Sequence, residues 1–168
     1  MANKKYIGII KKGLIGLLVI FIVIQFIHPA KNINSTVTAD DITTLYPVSD
    51  SVHIVLQKAC YDCHSNNTSY PWYNNLQPVA WWLNDHVTGG KKELNFSEFG
   101  KLTPPRQARK LKKLAHEVED GDMPLNSYTW IHKDAILTDQ EKKMIIGWAT
   151  TLSKQISAKW IADSLKKG

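Results

Sequence analysis

Apolar and polar positions divide the chain into one long uncharged run and a series of amphipathic segments behind it. From Gly13 to Ile27 the only strongly polar residue is Gln25; Lys4, Lys5, Lys11 and Lys12 precede the run and His28-Pro29 closes it. The run is short for a bilayer, which takes about 20 apolar residues. Ile7 to Ile10 lengthen it if Lys11 and Lys12 lie along the helix and hold their ammonium groups at the headgroups. Residues 7–27 therefore read as a single-pass membrane anchor. A cleaved export signal shares the basic start and apolar core, but His28-Pro29-Ala30-Lys31 offers only one small residue where a cleavage site would need several. The lysine-rich start predicts a cytoplasmic N-terminus, with the remainder beyond the inner membrane on the periplasmic side.

Behind the anchor (residues 1–30) comes a polar stretch, residues 31–46, rich in Asn, Ser, Thr and Asp without a helical period, which reads as a tether. Residues 47–168 then carry the 3.6-residue apolar period of an all-α domain. Val52, Val55 and Leu56 share a face of a first helix that starts near Ser49 or Asp50. A second should run from Pro78 to about Val87 and stop at Gly89-Gly90, with Trp82 and His86 on one face. Asn95 to Phe99 reads as a short packed turn. A third helix opens at Thr103-Pro104 and carries Ala108, Leu111, Ala115 and Val118 as a stripe up to Gly121. Its other face bears Arg109, Lys110, Lys112 and Lys113, a solvated surface or a docking patch for an acidic redox partner. A fourth opens with the capping box Thr138-Asp139-Gln140-Glu141 and continues through Ile145, Trp148, Ala149, Leu152 and Ile156; the pattern leaves Trp160 to Leu165 unassigned.

The formal charge of the 168-residue chain is +6. Lys4, Lys5, Lys11, Lys12 and Lys31 lie in or beside the anchor, so sixteen basic residues face fifteen acidic ones beyond it. The exported part is nearly neutral. The basic balance is thus a topology signal, and nucleic acid is not an expected partner.

The only two cysteines of the chain stand in Cys60-Tyr61-Asp62-Cys63-His64. This C-x-x-C-H string is the attachment signature of a c-type haem. Two thiols at this spacing reach the two vinyl groups of one porphyrin, and the histidine that follows can ligate the iron from below. A thioredoxin-like pair would follow a buried strand, and no β-branched run precedes Cys60. A zinc site would need further Cys or His ligands at a familiar spacing. A plain disulfide leaves His64 unexplained.

An electron-transfer haem usually has a sixth ligand, and Met123, Met144 and the histidines at 53, 86, 116 and 132 are the candidates. Met123 follows the third helix in Glu119-Asp120-Gly121-Asp122-Met123-Pro124, where Gly121 turns the chain and Pro124 stiffens the exit. An exposed thioether in an acidic loop has no evident core role, which favours Met123. Met144 lies inside the fourth helix and reads as packing. His86 is the rival, on an aromatic helical face where a lone histidine is commonly a hydrogen-bonded core residue. Tyr70, Trp72 and Tyr73 could cover a porphyrin face or pack in the core.

The chain resembles the bacterial haem-binding domain family of small c-type cytochrome-like proteins. The likeness runs from about Val48 to Leu152 and rests on Ala59-Cys60-Tyr61-Asp62-Cys63-His64-Ser65-Asn66, Tyr70-Pro71-Trp72-Tyr73, the Trp82 to His86-Val87 helix, Leu94-Asn95-Phe96-Ser97-Glu98-Phe99, Gly121-Asp122-Met123-Pro124, and Leu137-Thr138 leading into Glu141. The resemblance implies one covalent haem c on Cys60 and Cys63, His64 as proximal ligand, Met123 as distal ligand, and a small cytochrome c-like helical fold. Phe99, and Lys91 or Lys92, stand where members often have Trp and Arg. The expected function is a membrane-tethered monohaem cytochrome that passes single electrons between redox proteins in or at the membrane. The alternatives are a haem-based gas or redox sensor and a peroxidase-like enzyme with an open distal site; no arrangement of acid and base residues compels the enzyme.

Overall fold

The computed structural model describes residues 4–166. Every regular element among them is helical: α1 (Lys4–Ile24), α2 (Ile42–Leu45), α3 (Asp50–Ala59), α4 (Tyr61–His64), α5 (Val79–Glu93), α6 (Pro104–Asp120), α7 (Asn126–Thr129) and α8 (Asp139–Leu165), with 3-10 turns at Trp72–Asn75, Phe96–Lys101 and Lys133–Ala135. The fold is all-α, as the apolar period predicts. The chain forms two compact units, Met1–Lys31 with Tyr70–His86, and Asn32–Ser69 with Val87–Gly168.

In the first unit, α1 has 21 residues, or roughly 30 Å of helix. Its segment Tyr6–Ile24 is long and apolar enough to cross a membrane, and none of it is buried in the protein. The helix stops at Ile24, before the apolar run ends, because Gln25, Phe26 and Ile27 turn back on Ile22, Val23 and Ile24 through tighter bonds of the 3-10 type. Gln25, the one polar residue of the run, has a partner that explains it. Its side-chain oxygen accepts the backbone N–H of Gln77 at 2.9 Å and its amide nitrogen donates to the Gln77 carbonyl at 3.2 Å. The Gln77 side chain, 1 % exposed, in turn donates to the Ile27 carbonyl at 2.6 Å. The Trp81 indole donates to the same carbonyl at 3.1 Å.

The core of the second unit lies between α3, α6 and α8. α6 and α8 pack along each other, with Ala108, Leu111, Ala115 and Val118 of one and Ile145, Ala149, Leu152 and Ile156 of the other buried. This is the stripe read from the sequence, and full burial of a Leu or Ile is worth about 1.5–3 kcal/mol. Ser49 caps α3 by accepting the Val52 N–H. Both bonds of the Thr138/Glu141 capping box are present at the start of α8. α8 runs on to Leu165, so Trp160 to Leu165 belong to it. Thr103 occupies the N-cap of α6 without a side-chain capping bond. Pro104 and Pro105 fill the first two helical positions, so two of the N–H groups that a cap would serve do not exist.

Two features depart from the sequence reading. α5 does not stop at Gly89-Gly90 but continues to Glu93. Glycine weakens a helix without ending it, and Gly90 is where another backbone comes close: a Cβ there would stand 2.6 Å from the Cys63 carbonyl oxygen. Within the polar stretch before α3, Asp41 caps the single turn of α2, and Ile42 is fully buried. Further upstream, Asn34 donates to the Asn66 carbonyl at 2.8 Å and Thr68 to the Asn32 carbonyl at 2.8 Å, a short antiparallel bridge at Ile33 and Asn67.

Candidate haem-binding site

The C-x-x-C-H string forms a helical turn of its own. Cys60 leaves α3 at φ −129°, ψ −41°, and its carbonyl accepts the N–H groups of Cys63 at 3.2 Å and His64 at 2.9 Å. Cys60 and His64 are then four apart on one face of that turn. Both line an open cleft of about 650 Å³, mouth included, whose walls also contain Leu94, Phe96, Val118 and Met123. Cys63 is not among the lining residues. It turns toward α5, where the missing side chain of Gly90 makes room for it.

The His64 ring is held from α5. Its Nδ1 lies 2.9 Å from the Leu94 carbonyl oxygen, a group that can only accept, so Nδ1 carries the proton and Nε2 keeps its lone pair. Burial pulls the His64 pKa below its ordinary value, against the opposing pull of the Leu94 and Gly90 carbonyls. With Nδ1 donating to Leu94, Nε2 is the ring nitrogen that could ligate a metal. Phe96 meets it edge-on at 6.4 Å.

The cysteines are free. Burial, with a smaller push from Cys63, raises the Cys60 thiol to about 12, and burial with Asp62 raises Cys63 to about 11. Both are thiols at neutral pH. A redox-active C-x-x-C pair has the opposite property, a thiolate below its usual pKa.

Met123 is brought to the cleft by the end of α6. Gly121 adopts the left-handed conformation at φ 80°, and its N–H and those of Asp122 and Met123 all converge on the Glu117 carbonyl. The chain folds back over the last turn of its own helix and delivers Met123 to the wall. Met123 is half-buried against the core, not exposed as its acidic neighbours suggest. Met144 packs on the core from α8. His86 lies in the other unit and does not line the cleft; its Nδ1 is 2.8 Å from the Trp82 carbonyl and its ring meets Trp82 at 4.4 Å. Tyr70, Trp72 and Tyr73 also belong to that unit, with Trp72 exposed. His116 is exposed beside Asp120, His132 stacks on Tyr128, and His53 neighbours Tyr61.

The loop after His64 is fastened on both sides. Asn66 donates to Glu98 at 3.2 Å and accepts from Asn95 at 2.9 Å, while its backbone N–H donates to the Ser97 hydroxyl at 3.2 Å. Asp62 accepts from Tyr128 at 2.7 Å and from the Ser69 N–H at 2.8 Å. The strings around Cys60 and around Phe96 are thus two halves of one hydrogen-bonded assembly. Sequence reasoning missed Leu94 and Gly90, whose roles depend on a segment 27 to 30 residues away. The pair of glycines inside a helical pattern was the available signal of a close approach.

The donor set suits a haem: the Cys60 thiol, the His64 imidazole and the Met123 thioether line one cleft, and the second thiol, Cys63, stands in the same helical turn, directed toward α5. No curated protein and no solved structure matches the chain. Residues 19–151 match a family described as Haem-binding domain, from within α1 to within α8. On that match, which covers most of its length, the chain belongs to the haem-binding domain family.

Proposed function

We propose that this protein is a membrane-anchored monohaem c-type cytochrome that carries single electrons between redox proteins in or at the inner membrane. The observation that carries the reading is the convergence of Cys60, His64 and Met123 on one apolar cleft, with His64 already oriented by Leu94. Bound haem supplies an iron that cycles between ferric and ferrous states. Cys60 and Cys63 would hold it through thioethers, and His64 would offer Nε2 to the iron. Met123 would offer its thioether as a second ligand, and a soft ligand would favour ferrous iron and raise the potential relative to a second histidine. The apolar residues of the cleft, Leu94, Phe96 and Val118 among them, would limit the water that reaches the bound group. Tyr6–Ile24 supports a single-pass anchor, and the lysines before it support a cytoplasmic N-terminus with the haem domain periplasmic.

The test is a spectrum and redox titration of the full chain in detergent, with and without carbon monoxide, on wild type and Met123→Ala. A carrier with two axial side chains binds carbon monoxide poorly, and Met123→Ala lowers the potential and admits the gas. Ready binding by the wild type would transfer the protein to the sensor class. Haem that survives acid-acetone extraction from Cys60→Ala/Cys63→Ala would refute covalent attachment at these positions.

A further inference from the structure

The rim of the cleft is charged where its floor is not. Lys110 and Lys113, one turn apart on α6, line it together with Glu93 from the end of α5 and Glu117 from α6. Lys113 Nζ lies 2.9 Å and Lys110 Nζ 3.5 Å from the same Glu93 oxygen. One carboxylate thus bridges two ammonium groups at the mouth of an otherwise apolar space. The Lys110 side chain is only 23 % exposed, because its stem lies along the wall. Glu93 is 60 % exposed and Lys113 51 %. An ion pair this open is weak because water screens it, so its carboxylate is readily exchanged for another. Glu93 is also adjacent to Leu94, whose carbonyl orients His64. The ammonium pair therefore stands close to the segment that orients the His64 imidazole.

We infer that Lys110 and Lys113, which Glu93 shows can share one carboxylate, form a carboxylate seat for the propionates of the haem. The inference rests on the haem reading of the cleft. Leu94, Phe96 and Val118 would supply apolar contact to a macrocycle in this space, and Lys110 and Lys113 would be the cationic groups within reach of its carboxylates. Two ammonium groups at that rim give the ring a preferred direction of entry. They also supply the recognition that the apolar walls lack, since those walls accept any flat apolar molecule of the right size. Arg109 and Lys112, on the same helix, face elsewhere and do not line the cleft.

The experiment is a Soret titration of the apo full chain in detergent with ferric mesohaem and with its dimethyl ester. Mesohaem has no vinyl groups, so the native cysteines cannot attach it and equilibrium affinities are read directly. Lys110→Gln/Lys113→Gln should weaken binding of the diacid about fivefold and leave the ester unchanged. Lys110→Arg/Lys113→Arg should retain the discrimination, and Arg109→Gln/Lys112→Gln should alter neither affinity. Equal weakening of diacid and ester would reduce the lysines to packing, and no weakening of either would remove them from the site. A wild-type chain that binds neither compound would overturn the haem reading of the cleft itself, a result distinct from both.

Discussion

Replacing Gly90 by alanine adds one carbon to α5 at a point where a neighbouring backbone leaves no space. The new Cβ would lie 2.6 Å from the Cys63 carbonyl oxygen and 3.0 Å from the Cys63 Cβ. A backbone oxygen in a hydrogen-bonded turn cannot swing aside as a side chain can, so α5 and the motif must separate. Overpacking of this kind costs about 1–3 kcal/mol. Removing a glycine from mid-helix returns about 0.5–1 kcal/mol. The net expectation is a loss of about 0–2.5 kcal/mol, opposite in direction to the gain expected one residue earlier. Gly89 is the internal control, because a Cβ there meets nothing within 4 Å. Gly89→Ala should therefore be stabilising by about 0.5–1 kcal/mol. Denaturant titration of both full-length variants in detergent, followed by circular dichroism, compares two adjacent substitutions of identical chemistry. Shifts of the same sign and size would refute the close approach of α5 to the motif. The separation should also lengthen the 2.9 Å contact between His64 Nδ1 and the Leu94 carbonyl. Haem loading should then fall in Gly90→Ala and not in Gly89→Ala.

Tyr61 has a buried hydroxyl with no hydrogen-bond partner; Tyr61→Phe removes that penalty and should raise stability by about 1 kcal/mol, and a loss on thermal melting would show that the hydroxyl is served. Tyr128→Phe deletes the 2.7 Å bond to Asp62 and should cost about 1–2 kcal/mol, since a part-buried carboxylate loses a donor; an unchanged melting temperature would remove this bond from the supports of the motif. The Lys58–Glu141 pair, at 2.6 Å with side chains 25 % and 20 % exposed, predicts a pH dependence. Hydrogen bonding to Lys58 is the largest cause holding the Glu141 carboxyl below its ordinary pKa. A carboxylate with a depressed folded pKa stabilises fully above its unfolded value, about 4.3, and loses that contribution as pH falls through the lower folded value. Lys58→Met should therefore flatten the acid limb of the stability curve, and parallel curves for variant and wild type would contradict the pairing.

What could be read in advance depended on how far apart the interacting residues lie. The α6 stripe, the Gly121 terminus and the Thr138/Glu141 box are local patterns, and the structure reproduces them. Phe96 and Phe99 were legible as a packed turn because two aromatics stood close together between helices, and both are fully buried. Ile42 was not legible, since a lone apolar residue in a polar stretch carries no period. The same holds at the site. The C-x-x-C-H string presents Cys60, Cys63 and His64 within five residues, whereas Leu94 contributes a carbonyl group that every residue possesses. No side-chain pattern could single it out. Lys110 and Lys113 belong to a run of four basic positions, and only their proximity to Glu93 and the cleft separates them from Arg109 and Lys112.

The pairing of Gln25 with Gln77 bears on how this protein can be handled. A soluble version made by removing the first 31 residues would discard both the Gln25 amide and the Ile27 carbonyl. Gln77 would then lose every partner described for its backbone N–H and side-chain amide except Trp81, and the Trp81 indole would lose its acceptor. Water would fill those places at the cost of exposing a side chain now 1 % accessible. The N-terminal segment is in this sense a structural component of the unit that holds Gln77. A truncated protein would be a different molecule around Gln77, and potentials or affinities measured on it would belong to that molecule.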